Sequence, residues 1–128
     1  MVLLAHFFGA LYGLLAVVFG AFGAHALKRS FTEDQLKSFE TGVKYQMYHA
    51  ILLLILGYNL NLEIRVEKWM TYCFIVGTFL FSFSIYGLAL RASKGRKMKF
   101  LGPVTPLGGL FLVIGWVLLL YSFVEGYI

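Results

Sequence analysis

The sequence predicts an all-α protein: a four-helix transmembrane bundle with an amphipathic interfacial helix between the first and second spans. Three observations predict it. Hydrophobic residues make up 60% of the 128 residues and charged ones 13%, with a mean hydropathy of +0.82; a soluble domain carries about a quarter charged residues. Four apolar runs recur, each long enough, alone or with a polar-aromatic lead-in, to cross a hydrocarbon core that takes about 20 residues of helix. The basic residues behind the net charge of +5 sit in the short connections between those runs. Residues 1–128 suit a single membrane domain.

The first span covers residues 3–27 and holds no Asp, Glu, Lys or Arg. It lacks a basic n-region and is longer than the apolar core of a signal peptide, so it reads as a retained span. Gly9, Gly13, Ala16, Gly20 and Ala24 follow at steps of four, three, four and four, one face of a helix. Such a small-residue stripe lets a neighbouring helix approach closely.

The interfacial helix is expected over 32–46. Thr32 as N-cap and Gln35 at N3 fit a capping box, with Phe31 and Leu36 placed for the hydrophobic staple. Glu33 and Asp34 suit the positive end of the helix dipole. Leu36, Phe39, Val43 and Met47 form an apolar stripe that Lys37 and Lys44 avoid. The second span covers 46–62, and Tyr45, Tyr48 and His49 should lie near the headgroups. The third, 69–91, opens on Trp69 and Tyr72 and carries Ser82 and Ser84 among aromatics. The lone cysteine, Cys73, is a packing residue. The fourth span, 105–125, starts with Thr105 as N-cap and Pro106 at N1, and Gly108 and Gly109 give it a packing surface too.

Charge sets the expected topology. The first and third connections hold nine basic residues, Lys28, Arg29, Lys37 and Lys44 in one and Arg91, Lys94, Arg96, Lys97 and Lys99 in the other; the middle one holds Arg65 and Lys68. The positive-inside bias puts both termini outside the cytoplasm; in an organelle the corresponding inner side would be the matrix. Lys28, Arg29, Arg91, Lys94, Arg96, Lys97 and Lys99 then meet anionic lipid headgroups. A nucleic-acid role is not expected, since no polar domain could hold a duplex.

This topology gathers His25, Tyr45, Gln46, Tyr48, His49, Ser82, Ser84 and Thr105 at the cytoplasmic side. Polar groups at membrane depth pair with one another or line a cavity. The belt therefore either locks the helix ends together or forms a small site. Two histidines do not complete a zinc site, and no HxxxH or HExxH pair is present, so neither metal nor cofactor is expected. No nucleophile elbow, P-loop or paired carboxylate points to catalysis.

Gly20-Ala21-Phe22-Gly23-Ala24-His25-Ala26-Leu27, then Phe39-x-Thr41-Gly42-x-x-Tyr45-Gln46-x-Tyr48-His49-Ala50, resembles the uncharacterised small membrane protein family, a domain of unknown function, that includes bacterial YgdD and the eukaryotic transmembrane protein 256. Residues 77–86 and Thr105-Pro106-Leu107-Gly108-Gly109 leading to Gly115-Trp116 agree. The resemblance covers essentially the whole chain. It implies a small inner-membrane protein of about four helices, mitochondrial in eukaryotes, and implies no established activity.

The sequence thus points to a non-enzymatic integral membrane protein that binds lipid or a membrane partner, or a second copy of itself, in support of envelope integrity or complex assembly. Two other readings stay open: an oligomeric transporter or channel component, and a metal or haem protein using His25 and His49.

Overall fold

The computed structural model describes residues 1–95 and 101–125, without the side chains of Ala24 and Ser93. The positions predicted for Arg96, Lys97 and Lys99 lie outside the described residues. Among the described residues the regular structure is all helical. Helix α1 (Val2–Val18) runs through a π-helical turn (Phe19–Gly23) into the short α2 (Ala24–Leu27). Three long helices follow: α3 (Glu33–Asn59), α4 (Arg65–Ser93) and α5 (Val104–Glu125). The Val2–Leu27 rod and the apolar stretches of α4 and α5 are long and apolar enough to cross a membrane.

The segment read as interfacial and the second span form one continuous helix, α3. It starts where predicted. The Thr32 hydroxyl accepts from the Gln35 backbone N–H and the Gln35 side chain accepts from the Thr32 N–H. Leu36 packs against the cluster formed by Phe31, Phe39, Tyr86 and Ala89. No proline or glycine pair interrupts the chain at 45–50, so the helix carries straight through from polar to apolar sequence.

Successive long helices are antiparallel. α3 lies between α1 and α4, and α5 packs on the far flank of α4. The small-residue stripe of α1 faces α3: a Cβ at Gly9 would stand 3.0 Å from the Ala50 carbonyl oxygen, and one at Gly20 would stand 3.2 Å from Val43. Gly108 does the same for α5, where a Cβ would run into the backbone of Phe81 on α4. Gly109, one residue on, faces only the Phe81 ring. Close backbone approach without side chains lets dispersion hold helices together where no hydrophobic drive exists.

The main core joins Ala5, Tyr12, Leu53, Met70, Phe74, Leu112 and Leu119. Leu62, in the turn between α3 and α4, adopts a left-handed backbone (φ 56°) and buries its side chain in that core. Outside, large apolar side chains such as Leu14, Leu110, Leu120 and Phe123 are exposed on the spanning helices. A surface so continuously apolar is that of a protein solvated by lipid. Trp69 and Tyr72 sit exposed in the first two turns of α4.

Candidate functional site

Two different assemblies grow from α3. The first uses its buried stripe: Phe39, Gly42, Gln46, His49, Leu53 and Leu56, at alternating steps of three and four. Gln46, with 0% exposure, is the centre. Its Nε2 donates to the Tyr12 carbonyl of α1 at 2.8 Å, and its Oε1 accepts from the Tyr86 hydroxyl of α4 at 2.7 Å. The Tyr12 hydroxyl donates to the Ile75 carbonyl of α4 at 2.7 Å, and Ser82 donates to the Gly42 carbonyl at 2.8 Å. Three helices are thus tied by cross-helix bonds. Every side chain in the knot is buried and partnered. One turn before Ser82, the buried Thr78 hydroxyl has no hydrogen-bond partner among the described residues.

The second assembly lies on the neighbouring face of α3, in a groove that α3 and α5 form over α4. A cavity of about 810 Å³ runs there, lined by Tyr45, Tyr48, His49, Leu52 and Ile55 of α3, Phe81 of α4, and Gly109, Leu112, Val113 and Trp116 of α5. His49 and Trp116 bridge it. The Trp116 indole donates to His49 Nε2 at 3.1 Å, and His49 Nδ1 lies 2.7 Å from the Tyr45 carbonyl. An indole N–H only donates and a carbonyl only accepts. His49 is therefore the neutral Nδ1–H tautomer with both nitrogens engaged, leaving no lone pair for a metal or haem iron. Tyr45 stacks on Phe81 with centroids 5.0 Å apart.

A smaller cavity, about 340 Å³, sits over the same three helices toward the basic end. It is lined by Asp34, Gln35 and Ser38 of α3, Ile85, Leu88, Ala89 and Ala92 of α4, and Gly102 and Thr105 beside α5. Between the cavities Ser84 and Thr105 share a 2.6 Å hydrogen bond, and the Ser84 hydroxyl also donates to the Phe81 carbonyl.

The predicted belt divides accordingly. Gln46 and Ser82 enter the interior knot. Tyr45, Tyr48 and His49 line the groove, and Ser84 with Thr105 clip α4 to α5 at its polar end. His25 is exposed on α2 and makes none of these contacts. Among the described residues no group of three or more His, Cys, Asp or Glu side chains gathers where a metal could sit. Cys73 is buried and unbonded. Tyr12, which ties α1 to both neighbours, and Trp116, which holds His49, were not singled out from sequence. A polar tip on an aromatic ring inside an apolar run is the one signal that marks both.

Comparisons with known proteins agree on the class. A family model described as "Protein of unknown function (DUF423)" matches residues 19–109. A UPF0382 membrane protein of Staphylococcus aureus (strain bovine RF122 / ET3-1) is 38% identical over 114 residues, 89% of this chain and 89% of its own. One from Schizosaccharomyces pombe is 38% identical over 112 residues, 87% of this chain and 93% of its own. The UPF0382 membrane protein YwdK of Bacillus subtilis is 34% identical over 122 residues, 91% of this chain and 93% of its own. No solved structure matches.

Proposed function

The chain belongs to the DUF423 family, whose relatives are membrane proteins of unknown function, and from that premise we propose that it is a non-enzymatic lipid-binding protein of the bacterial inner membrane. In this reading both termini lie outside the cytoplasm, and the basic connections around Lys28, Arg29, Arg91 and Lys94 meet anionic headgroups. Binding lipid in the α3–α5 groove supports envelope integrity or the assembly of a larger membrane complex.

The observation that carries the reading is the 810 Å³ groove. Its lining is predominantly apolar and is carried entirely by the long helices α3, α4 and α5. Pockets of about 300–1,000 Å³ with a few placed polar groups are the usual scale for small-ligand sites. The interior knot supports no competing reading as a pathway, because its groups are spent on one another.

The test fills the groove and leaves the rest alone. A Cβ at Gly109 meets only the Phe81 ring, 3.7 Å away, so Gly109→Leu projects into the cavity without moving α4. Native mass spectrometry from mild detergent should show lipid adducts on the wild type and few on the variant at unchanged melting temperature. The variant should also fail to complement a deletion strain. A lipid-free variant that complements fully would overturn the reading.

A further inference from the structure

We propose that the smaller cavity is the headgroup subsite of the groove, and that it selects a phospholipid bearing a primary ammonium, as ethanolamine lipids do; the inference rests on the lipid-binding reading above. The two cavities lie in succession along the same three helices. Ile85 follows Phe81 by four residues on α4, and Gly109 follows Thr105 by four on α5, so one helical turn separates them on each wall.

The third wall grades in polarity. On α3, Asp34, Ser38 and Thr41, then Tyr45 and Tyr48, then Leu52 and Ile55 follow at steps of four, three, four, three, four and three. Those steps keep one helix face. That face passes from carboxylate through hydroxyls and phenols to alkyl groups, the order of a phospholipid from headgroup to tail. Tyr45 to Ile55 covers about 15 Å of helix, the depth of one leaflet of a ~30 Å core. At the basic end the α3 wall brings Asp34, Gln35 and Ser38, with Thr105 opposite, against the apolar α4 wall, so the polar groups are confined to where a headgroup would sit.

Charge chooses the headgroup. Among the described residues no hydrogen bond or ion pair engages the Asp34 carboxylate. It stands exposed in the first turn of α3, at the mouth of the smaller cavity. A phosphoglycerol headgroup would bring only negative charge and hydroxyls to it. A primary ammonium brings positive charge and three donors for the carboxylate and the Ser38 hydroxyl. Quaternary choline has the charge and no donor.

Trp116 lines the groove and reports on its contents once Trp69, the other tryptophan, is replaced by Phe. The protein is reconstituted in phosphatidylglycerol vesicles containing a minority of acyl-brominated phosphatidylethanolamine, and in the reverse mixture. Brominated ethanolamine lipid should quench Trp116 about two- to fivefold more effectively than brominated glycerol lipid, the ratio an exposed ion pair supplies. Asp34→Asn should erase the difference, and Ser38→Phe, which fills the cavity, provides a second route to the same loss. Equal quenching by both lipids, or a preference that survives Asp34→Asn, overturns headgroup selection and leaves acyl binding in the groove standing. Quenching unchanged by Gly109→Leu overturns both.

Discussion

Two faces of the same helix do opposite things with polar residues. The face of α3 that carries Gly42, Gln46 and Leu53 turns inward and consumes its polar groups in bonds to α1 and α4. The face that carries Asp34, Tyr45 and Tyr48 turns toward a groove, and its polar groups stay accessible; Tyr48 is 57% exposed. A buried amide between three helices specifies one packing arrangement, because any rotation of α3 leaves it unpaired at low dielectric. A graded, open face specifies nothing about packing and is free to meet a ligand. His49 stands at the boundary, buried with the first face and bonded across the groove of the second.

The comparison breaks most sharply at Gln46. Gln46→Ala removes two of the knot's four bonds and leaves the Tyr86 hydroxyl without its acceptor in a buried site. A cavity cost and an unsatisfied hydroxyl together predict a loss of about 2–4 kcal/mol. Unfolding in a graded sodium dodecyl sulfate titration, followed by circular dichroism, measures it. A loss below about 0.5 kcal/mol would show that the knot does not hold the bundle.

The adjacent glycines of α5 test the same contrast within one dipeptide. Gly108→Ala drives a Cβ into the Phe81 backbone, where no rotamer change relieves it, and should cost about 1–3 kcal/mol. Gly109→Ala adds a methyl at ordinary contact distance to a side chain, 3.7 Å, and should change stability by less than about 0.5 kcal/mol. Equal effects at the two positions would mean that α5 does not seat on α4 through Gly108.

Much of this was legible before any coordinates. Apolar run lengths mark the three stretches, in the first helical segment, α4 and α5, that are long and apolar enough to cross a membrane, and the local hydrogen-bond logic of Thr32 and Gln35 places the start of α3. The small-residue stripe marks a packed face, and the structure supplies its partner, α3. The belt residues were found because topology fixes depth: residues at corresponding distances along antiparallel helices share a level in the membrane. Depth says nothing about rotation. Gln46 and Tyr45 are neighbours in sequence and 100° apart on the helix, so one is inside and the other in the groove. Rotation follows from packing against other helices. That is why Tyr12 and Trp116, each a single ring in an apolar run, gained their roles only once α1 and α5 were in place. It is also why His25, exposed on α2, makes none of the contacts of His49.

At the boundary between the faces, Trp116→Phe removes the indole N–H from His49 Nε2 while keeping an aromatic ring against Phe74, 5.7 Å away in the wild type. Interhelical hydrogen bonds in membranes average about 0.6 kcal/mol and reach about 1.7, so the expected loss is about 1 kcal/mol in the same titration. Nitrogen-15 NMR of labelled histidine gives an independent check. Wild-type His49 should show the Nδ1–H tautomer. A protonated Nε2 in the wild type would contradict the bridge.

The finest test uses one functional group on both faces. Ser82 donates across helices to the Gly42 carbonyl, and Thr41, on the groove face, donates back along its own helix to the Lys37 carbonyl. Ser82→Ala loses a cross-helix bond at a site with 0% exposure. The Gly42 carbonyl is already an acceptor within the α3 ladder and is not orphaned, which holds the loss near the membrane average of about 0.6 kcal/mol. Thr41→Ala loses a bond that ties α3 only to itself, in competition with the ladder, and exchanges a β-branched residue for the best helix former. Its expected change lies within about 0.5 kcal/mol of zero and can be slightly stabilising. Measured side by side, the two should differ in favour of Ser82 mattering more. If Thr41→Ala cost as much as Ser82→Ala, hydroxyl bonding would stabilise α3 itself rather than its seat between α1 and α4, and the division of α3 into a locking face and a free face would fail at its simplest point.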